Sequence, residues 1–294
     1  MPETSRATTA KNASWLVSTE WLAQRIDAPD VLVLDASYHL PGADRDAAAE
    51  FVSQRIPGAV FFDVDAIKDD ANPLPHMMPS PIVFAAKMRA MGVGDGQRLV
   101  IYDSHGLFSA ARAWWMFRVM GHDDVRVLDG GLPKWVAEER PTEDGVPPAR
   151  TRRHFTPRHR PAMVATCADV KAALDAHDVQ VVDARSAGRF AGTAAEPRAD
   201  LARGHMPGAR SLPFTDLLAD DGTLRSRDKL ADAFDAAGVR RNAPIVTTCG
   251  SGVTAAVLNL ALGEMGCDDV RLYDGSWSEW GARDDCPVAS GGPN

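Results

Sequence analysis

The chain has 294 residues, 45% hydrophobic and 24% charged, with a formal net charge of −8. That length allows a sizeable core and points to about two domains. The acidic balance repels phosphate backbones and anionic lipid, which argues against nucleic acid or a membrane as partner.

The opening "MPETSRATTAKNAS" lacks the apolar stretch of a secretory signal. No later run approaches the roughly 20 apolar residues of a membrane span. "VLVLD" (31–35) reads as a buried strand, as does "RLVIYD" (98–103). "SAARAWWMFRVMG" (109–121) reads as a helix and "VRVLDGG" (125–131) as the next strand. "RPTEDGVPPARTRRHFTPRHRPA" (140–162) is rich in Pro and Arg and has no periodicity, so it reads as a surface linker whose charges are solvated. Beyond it, "VQVVD" (179–183), "PIVTT" (244–248), "TAAVLNLALGEMG" (254–266) and "VRLYDGS" (270–276) repeat the same order.

The repetition extends to residue identities. "VLVLDAS" (31–37) matches "VQVVDAR" (179–185), an offset of 148 from 31 to 179. "GHDDVRVLDGGLPKW" (121–135) matches "GCDDVRLYDGSWSEW" (266–280), an offset of 145 from 121 to 266. Both copies carry a Pro-Gly-Ala segment, at 57–59 and 207–209. One α/β domain of about 130 residues is therefore used twice. Strands apolar on both faces and separated by helices predict, in each copy, a parallel sheet with helices on both sides. The expected boundaries are 14–140 for the first domain, 141–162 for the linker and 163–290 for the second domain.

Cys249 stands between strand "PIVTT" and helix "TAAVLNLALGEMG", at the carboxyl end of a strand, where open α/β sheets bind ligands. Gly250 and Gly252 permit a tight curl. The amides of Gly250, Ser251, Gly252, Val253 and Thr254 can then form a nest backed by the positive end of the helix. An anion at its centre is stabilised, and the same field favours a nucleophilic thiolate. The alternative is a buried cysteine acting as a small hydrophobe. That reading suits Cys167, Cys267 and Cys286, which lack such a loop. No cysteine lies in a C-x-x-C pair, which argues against a disulfide framework or zinc site and fits a reducing cytoplasm. A cysteine phosphatase would need an arginine six residues after the thiol, where Ala255 stands. The position equivalent to Cys249 in the first copy is Ser104, so only the second domain is expected to run thiol chemistry.

The two-copy layout, "LDGG" and "YDGSWSEW", and Cys249 in "CGSGVTA" resemble the tandem-rhodanese sulfurtransferases, from about residue 14 to about 290. The uncharged Cys-Gly-Ser-Gly-Val-Thr loop resembles the 3-mercaptopyruvate sulfurtransferase branch; thiosulfate sulfurtransferases carry a basic loop there. The resemblance implies Cys249 as the catalytic nucleophile and a relay of Ser251, His76 and Asp65, the last two from the first domain. It implies substrate binding by Arg189 and Arg198 in "GRFAGTAAEPR" (188–198). Arg55 departs from the family, where histidine is common, at a position outside the implied catalytic set.

Other readings stay open at this level: surface arginines for Arg189 and Arg198, a loop histidine for His76, and a helix cap before "AIKDD" for Asp65. The expected activity is sulfur transfer from 3-mercaptopyruvate through a Cys249 persulfide. The acceptor would be a thiol such as thioredoxin, or cyanide, and the chemistry needs no metal or organic cofactor. Thiosulfate as main donor is the alternative within the family. A non-catalytic binding module is the alternative outside it.

Overall fold

The computed structural model describes residues 14–176 and 178–292. The first copy runs β1 (Leu16–Val17), α1 (Thr19–Ala23), β2 (Val31–Asp35), α2 (Ala47–Ser53), β3 (Val60–Phe61), α3 (Pro81–Ala90), β4 (Arg98–Tyr102), α4 (Ala110–Val119), β5 (Val125–Leu128) and α5 (Gly131–Ala137). The second runs β6 (Val164–Ala165), α6 (Cys167–Ala176), β7 (Gln180–Asp183), α7 (Ala187–Ala191), β8 (Arg210–Ser211), α8 (Arg227–Ala236), β9 (Ile245–Thr248), α9 (Ala255–Glu264), β10 (Val270–Tyr273) and α10 (Ser276–Trp280). Each copy forms a five-stranded sheet, ordered β1-β5-β4-β2-β3 and β6-β10-β9-β7-β8. All the pairings are parallel. Among the described residues no helix is long and apolar enough to cross a membrane.

The two copies meet through equivalent helices. α4 and α9 pack against each other. Every residue of α4 except Arg118, and every residue of α9 except Gly263, is buried. A helix apolar on all sides must be covered on all sides, and each supplies the other's outer cover. Because α9 begins where the Cys249 loop ends, this packing brings that loop to the interface, within reach of the first domain. Polar ties reinforce it: Ser14 Oγ donates to Glu264 at 3.0 Å, and Leu224 N donates to Asp129 Oδ1 at 2.8 Å.

The stretch between the copies is docked. Phe155 is buried against Phe84, with ring centroids 5.6 Å apart, and the amides of Arg158 and Arg160 each donate at 2.7 Å to the end of α4. Cys167 and Cys286 are buried free thiols with sulfurs 3.7 Å apart.

One buried carboxyl makes stability depend on pH. Asp35 ends β2, 2% exposed, and burial pushes it up from 3.8 to about 6. The unfolded chain holds this proton less tightly than the native one. Its favourable contribution is therefore complete below pH 4 and is lost as the pH rises through 6. Asp35→Asn keeps an acceptor for Ser37 N. At pH 7 it is expected to be more stable than the parent by up to about 3 kcal/mol, at 1.36 kcal/mol per pKa unit. Denaturant titrations at pH 4 and pH 7 check this; a difference that does not vary with pH would refute it.

Candidate active site

Cys249 follows β9 and is 2% exposed. The carbonyls of its loop are tied outward. Trp277 N donates to Cys249 O at 2.9 Å; Ser278 donates to Gly250 O from its amide at 2.9 Å and its hydroxyl at 2.7 Å. Arg112 Nη1 donates to Gly252 O at 3.3 Å. In a planar trans peptide the carbonyl and the following N–H point in opposite directions. Anchoring these three carbonyls therefore turns the amides of Gly250, Ser251 and Val253 into the hollow of the loop. Among the described residues no amide from Gly250 to Thr254 donates to a protein acceptor. The ring thus presents several N–H groups and no charge.

The two glycines serve different ends. Gly252 has φ +74°, a conformation L side chains rarely adopt. Gly250 has no positive φ. A Cβ there would meet Arg189 Nη2 at 2.8 Å, so its glycine gives an arginine close approach to the backbone beside the thiol. Thr254 precedes α9 as its cap residue, without a side-chain capping bond, and Val253 is buried.

The first domain contributes His76, 1% exposed, with φ +60°. Its Nε2 lies 2.8 Å from Asp65 Oδ1 and its Nδ1 lies 3.0 Å from Ser251 Oγ. An ionised carboxylate only accepts, so Nε2 donates to Asp65, and in the neutral imidazole Nδ1 is left as the acceptor facing the serine hydroxyl. The hydrogen bond from His76 holds Asp65 below the usual carboxylate range. No helix forms over "AIKDD" for Asp65 to cap: the segment is a turn in which Asp63 accepts from the amides of Asp65 and Ala66, leaving Asp65 to face the histidine.

Arg189 and Arg198 lie on α7 and the loop after it. Arg189 Nε donates to Glu196 at 3.1 Å. The same glutamate accepts from Arg185 at 2.7 Å. Arg185 is fully buried, forks onto Asp183 and lies 4.2 Å over the Trp277 ring. Arg198 lies close enough to the Tyr38 hydroxyl and to Asp65 for its positive charge to favour the ionised form of each. The Tyr38 ring stands edge-on to His76, with centroids 4.9 Å apart. All the sequence-designated residues therefore gather around one loop.

Sequence reasoning missed Arg112, Asp274, Arg185, Glu196 and Tyr38. A signal existed for two of them: "AARAWWMFRV" places Arg112 among apolar residues in mid-helix, and Arg185 puts a charge directly after the shared Asp-Ala of the repeat, where the first copy has Ser37.

The first domain's equivalent loop is filled from within. Asp103 accepts from the amides of His105, Phe108 and Ala110 at 2.9, 2.7 and 2.8 Å. Thr248 occupies the matching position before Cys249 and cannot do this. An internal carboxylate thus occupies the first nest, and serine replaces the thiol. Among the described residues no group of His, Cys, Asp and Glu could hold a metal ion. A separate cavity of about 900 Å³, bordered by Arg240, Arg241 and Cys267, lies at the amino ends of β9 and β10, away from the thiol.

Two parallel sheets, the second with a thiol loop at a strand's carboxyl end, define a tandem α/β protein with a cysteine site, and comparison with known proteins identifies its class as a sulfurtransferase. The rhodanese-like domain family matches residues 18–138 and again 166–283. The 3-mercaptopyruvate sulfurtransferase of Escherichia coli (strain K12) is 44% identical, over 94% of this chain and 98% of the relative. That of Homo sapiens is 43% identical, over 91% and 92%. The crystal structure of SseA from Escherichia coli, a 3-mercaptopyruvate sulfotransferase, superposes with a TM-score of 0.83 at 42% identity, covering 90% of this chain and 99% of that one. The chain belongs to the rhodanese-like family, as a tandem-domain sulfurtransferase of the 3-mercaptopyruvate branch.

Proposed function

We propose that the chain moves sulfur from 3-mercaptopyruvate to an acceptor through a persulfide on Cys249. The observation that carries this is the uncharged ring of inward amides around a buried thiol, with two arginines and a histidine-serine pair beside it.

Arg189 and Arg198 hold the donor's carboxylate and carbonyl, for which a planar guanidinium is suited. The Cys249 thiolate attacks the donor sulfur and the C3–S bond breaks. The electron pair passes to the enolate of pyruvate. Ser251 passes the donor thiol's proton to His76 Nδ1, Asp65 stabilises the imidazolium, and the imidazolium then returns that proton, through Ser251, to C3 of the enolate. The loop amides stabilise the Cys249 persulfide anion as they would an oxyanion. An acceptor thiolate, such as that of thioredoxin, or cyanide then takes the outer sulfur and restores Cys249. Two half-reactions give ping-pong kinetics. Four free cysteines suit a reducing cytoplasm as the setting.

Intact mass after brief exposure to 3-mercaptopyruvate tests the reading, with a gain of about 32 Da for one sulfur. Thiosulfate, a dianion, is expected to load more weakly because the loop carries no cation. Ser251→Lys adds one and is expected to move the efficiency ratio at least about tenfold towards thiosulfate, a shift of about 1.4 kcal/mol. Equal loading of the parent by both donors would instead make thiosulfate a main substrate. No loading by either would leave a binding module.

A further inference from the structure

We propose that Arg112, paired with Asp274, is a positioning residue through which the first domain sets the geometry of both the Ser251–His76 pair and the persulfide cradle. The proposal rests on the sulfur-transfer reading and adds to it a residue outside the relay.

Arg112 lies on α4, in the first domain, yet most of its bonds end in the second. It is fully buried. Nη1 donates to Asp274 Oδ1 at 2.7 Å and to Gly252 O at 3.3 Å; Nη2 donates to the carbonyl of His76. The other oxygen of Asp274 accepts from Met78 N at 2.7 Å. The guanidinium face lies 4.6 Å from the Trp115 ring. One ion pair therefore holds three things: the Gly252 carbonyl, the His76 carbonyl and the backbone two residues after His76.

Each contact has a chemical consequence. Pulling the Gly252 carbonyl towards Arg112 directs the Val253 amide into the cradle. His76 sits at φ +60°, a backbone state that persists only when its surroundings enforce it. The bonds at His76 O and Met78 N supply that enforcement, and they hold Nδ1 at 3.0 Å from Ser251 Oγ. Gly252 completes the fit, since a Cβ there would lie 2.8 Å from Arg112 Nη1.

The repeat provides an internal comparison. At the 145-residue offset, Arg112, Gly252 and Asp274 correspond to Val257, Leu107 and Asp129. The non-catalytic half thus has the aspartate without the arginine, and a leucine where the arginine needs a glycine. Asp129 accepts instead from Leu224 N, and burial pushes it up to about 6. A purely structural need for this ion pair would apply to both halves. It occurs only beside the thiol.

The test is the single-turnover rate of persulfide formation with 3-mercaptopyruvate, read by mass. Removing Arg112 alone strands a buried aspartate and endangers folding, so the principal variant is the charge-free pair Arg112→Met/Asp274→Asn, with folding checked by circular dichroism. Its rate is expected to fall about 100-fold, as when one oxyanion donor is lost, with the donor KM changed less than about threefold. Arg112→Lys, which can reach one carbonyl but not both, is expected to recover about a tenth of the parent rate. In a Ser251→Ala background the same double change is expected to cost no more than about tenfold, because the part acting through His76 is already gone. A folded double variant within threefold of the parent overturns the proposal, as does an equal loss in both backgrounds. Unchanged loading in Ser251→Ala alone would also overturn the proposal, since the Ser251–His76 pair that Arg112 is said to position would then contribute nothing.

Discussion

Cys249→Ser is expected to lower sulfur transfer at least about 10⁴-fold and to abolish the gain of one sulfur on exposure to donor. A serine hydroxyl is not ionised near neutral pH, and it offers no sulfur to form the persulfide. The scaffold should accept the change. Serine is close to isosteric, the inward amides can donate to its oxygen, and the first domain already carries Ser104 at the equivalent place. Unfolding free energy should therefore stay within about 1 kcal/mol of the parent. Intact mass and denaturant titration on the same sample separate the two effects. Persistent loading of the variant would point to Cys167, Cys267 or Cys286 as the nucleophile and remove Cys249 from that role.

Arg185→Met is expected to be the most destabilising single change near the site. Arg185 is fully buried, and its side chain spans Asp183 and Glu196, whose side chains are 1% and 3% exposed. It also donates to Gly204 O at 2.7 Å. Methionine preserves much of the packing on Trp277 but leaves two buried carboxylates without their shared cation. Breaking such a pair from one side costs about 3–5 kcal/mol. A second effect follows from the shared glutamate. Glu196 also orders Arg189, so releasing it should raise the donor KM more than it lowers kcat. Arg185→Met/Asp183→Asn removes one stranded charge and is expected to recover part of the stability but not the KM. A loss below about 1 kcal/mol for the single variant would mean that the carboxylates find other partners.

How much of this could be read from the chain depends on the range of each signal. The strands, the repeat and the thiol loop are local patterns. An apolar β-branched run, a glycine spacing and a strand-to-helix junction lie within a few consecutive residues, so the chain states them directly. The resemblance could also name Asp65, His76, Arg189 and Arg198, since each stands in a short recognisable segment. Their convergence was a different matter. His76 Nδ1 meets Ser251 Oγ across 175 residues of chain only because α4 and α9 are buried against each other. The same packing drives Arg112 into the loop and makes Gly252 necessary. The close approach of Arg189 explains Gly250, where sequence alone suggested only a tight turn. The docked linker is a further instance, since Phe155 becomes an anchor only once Phe84 and Phe117 form a surface for it. Local chemistry is encoded by neighbours in the chain. The buried charges that orient it are encoded by pairs far apart, and such a pair becomes visible only when hydrophobic burial of two helices has brought its members together.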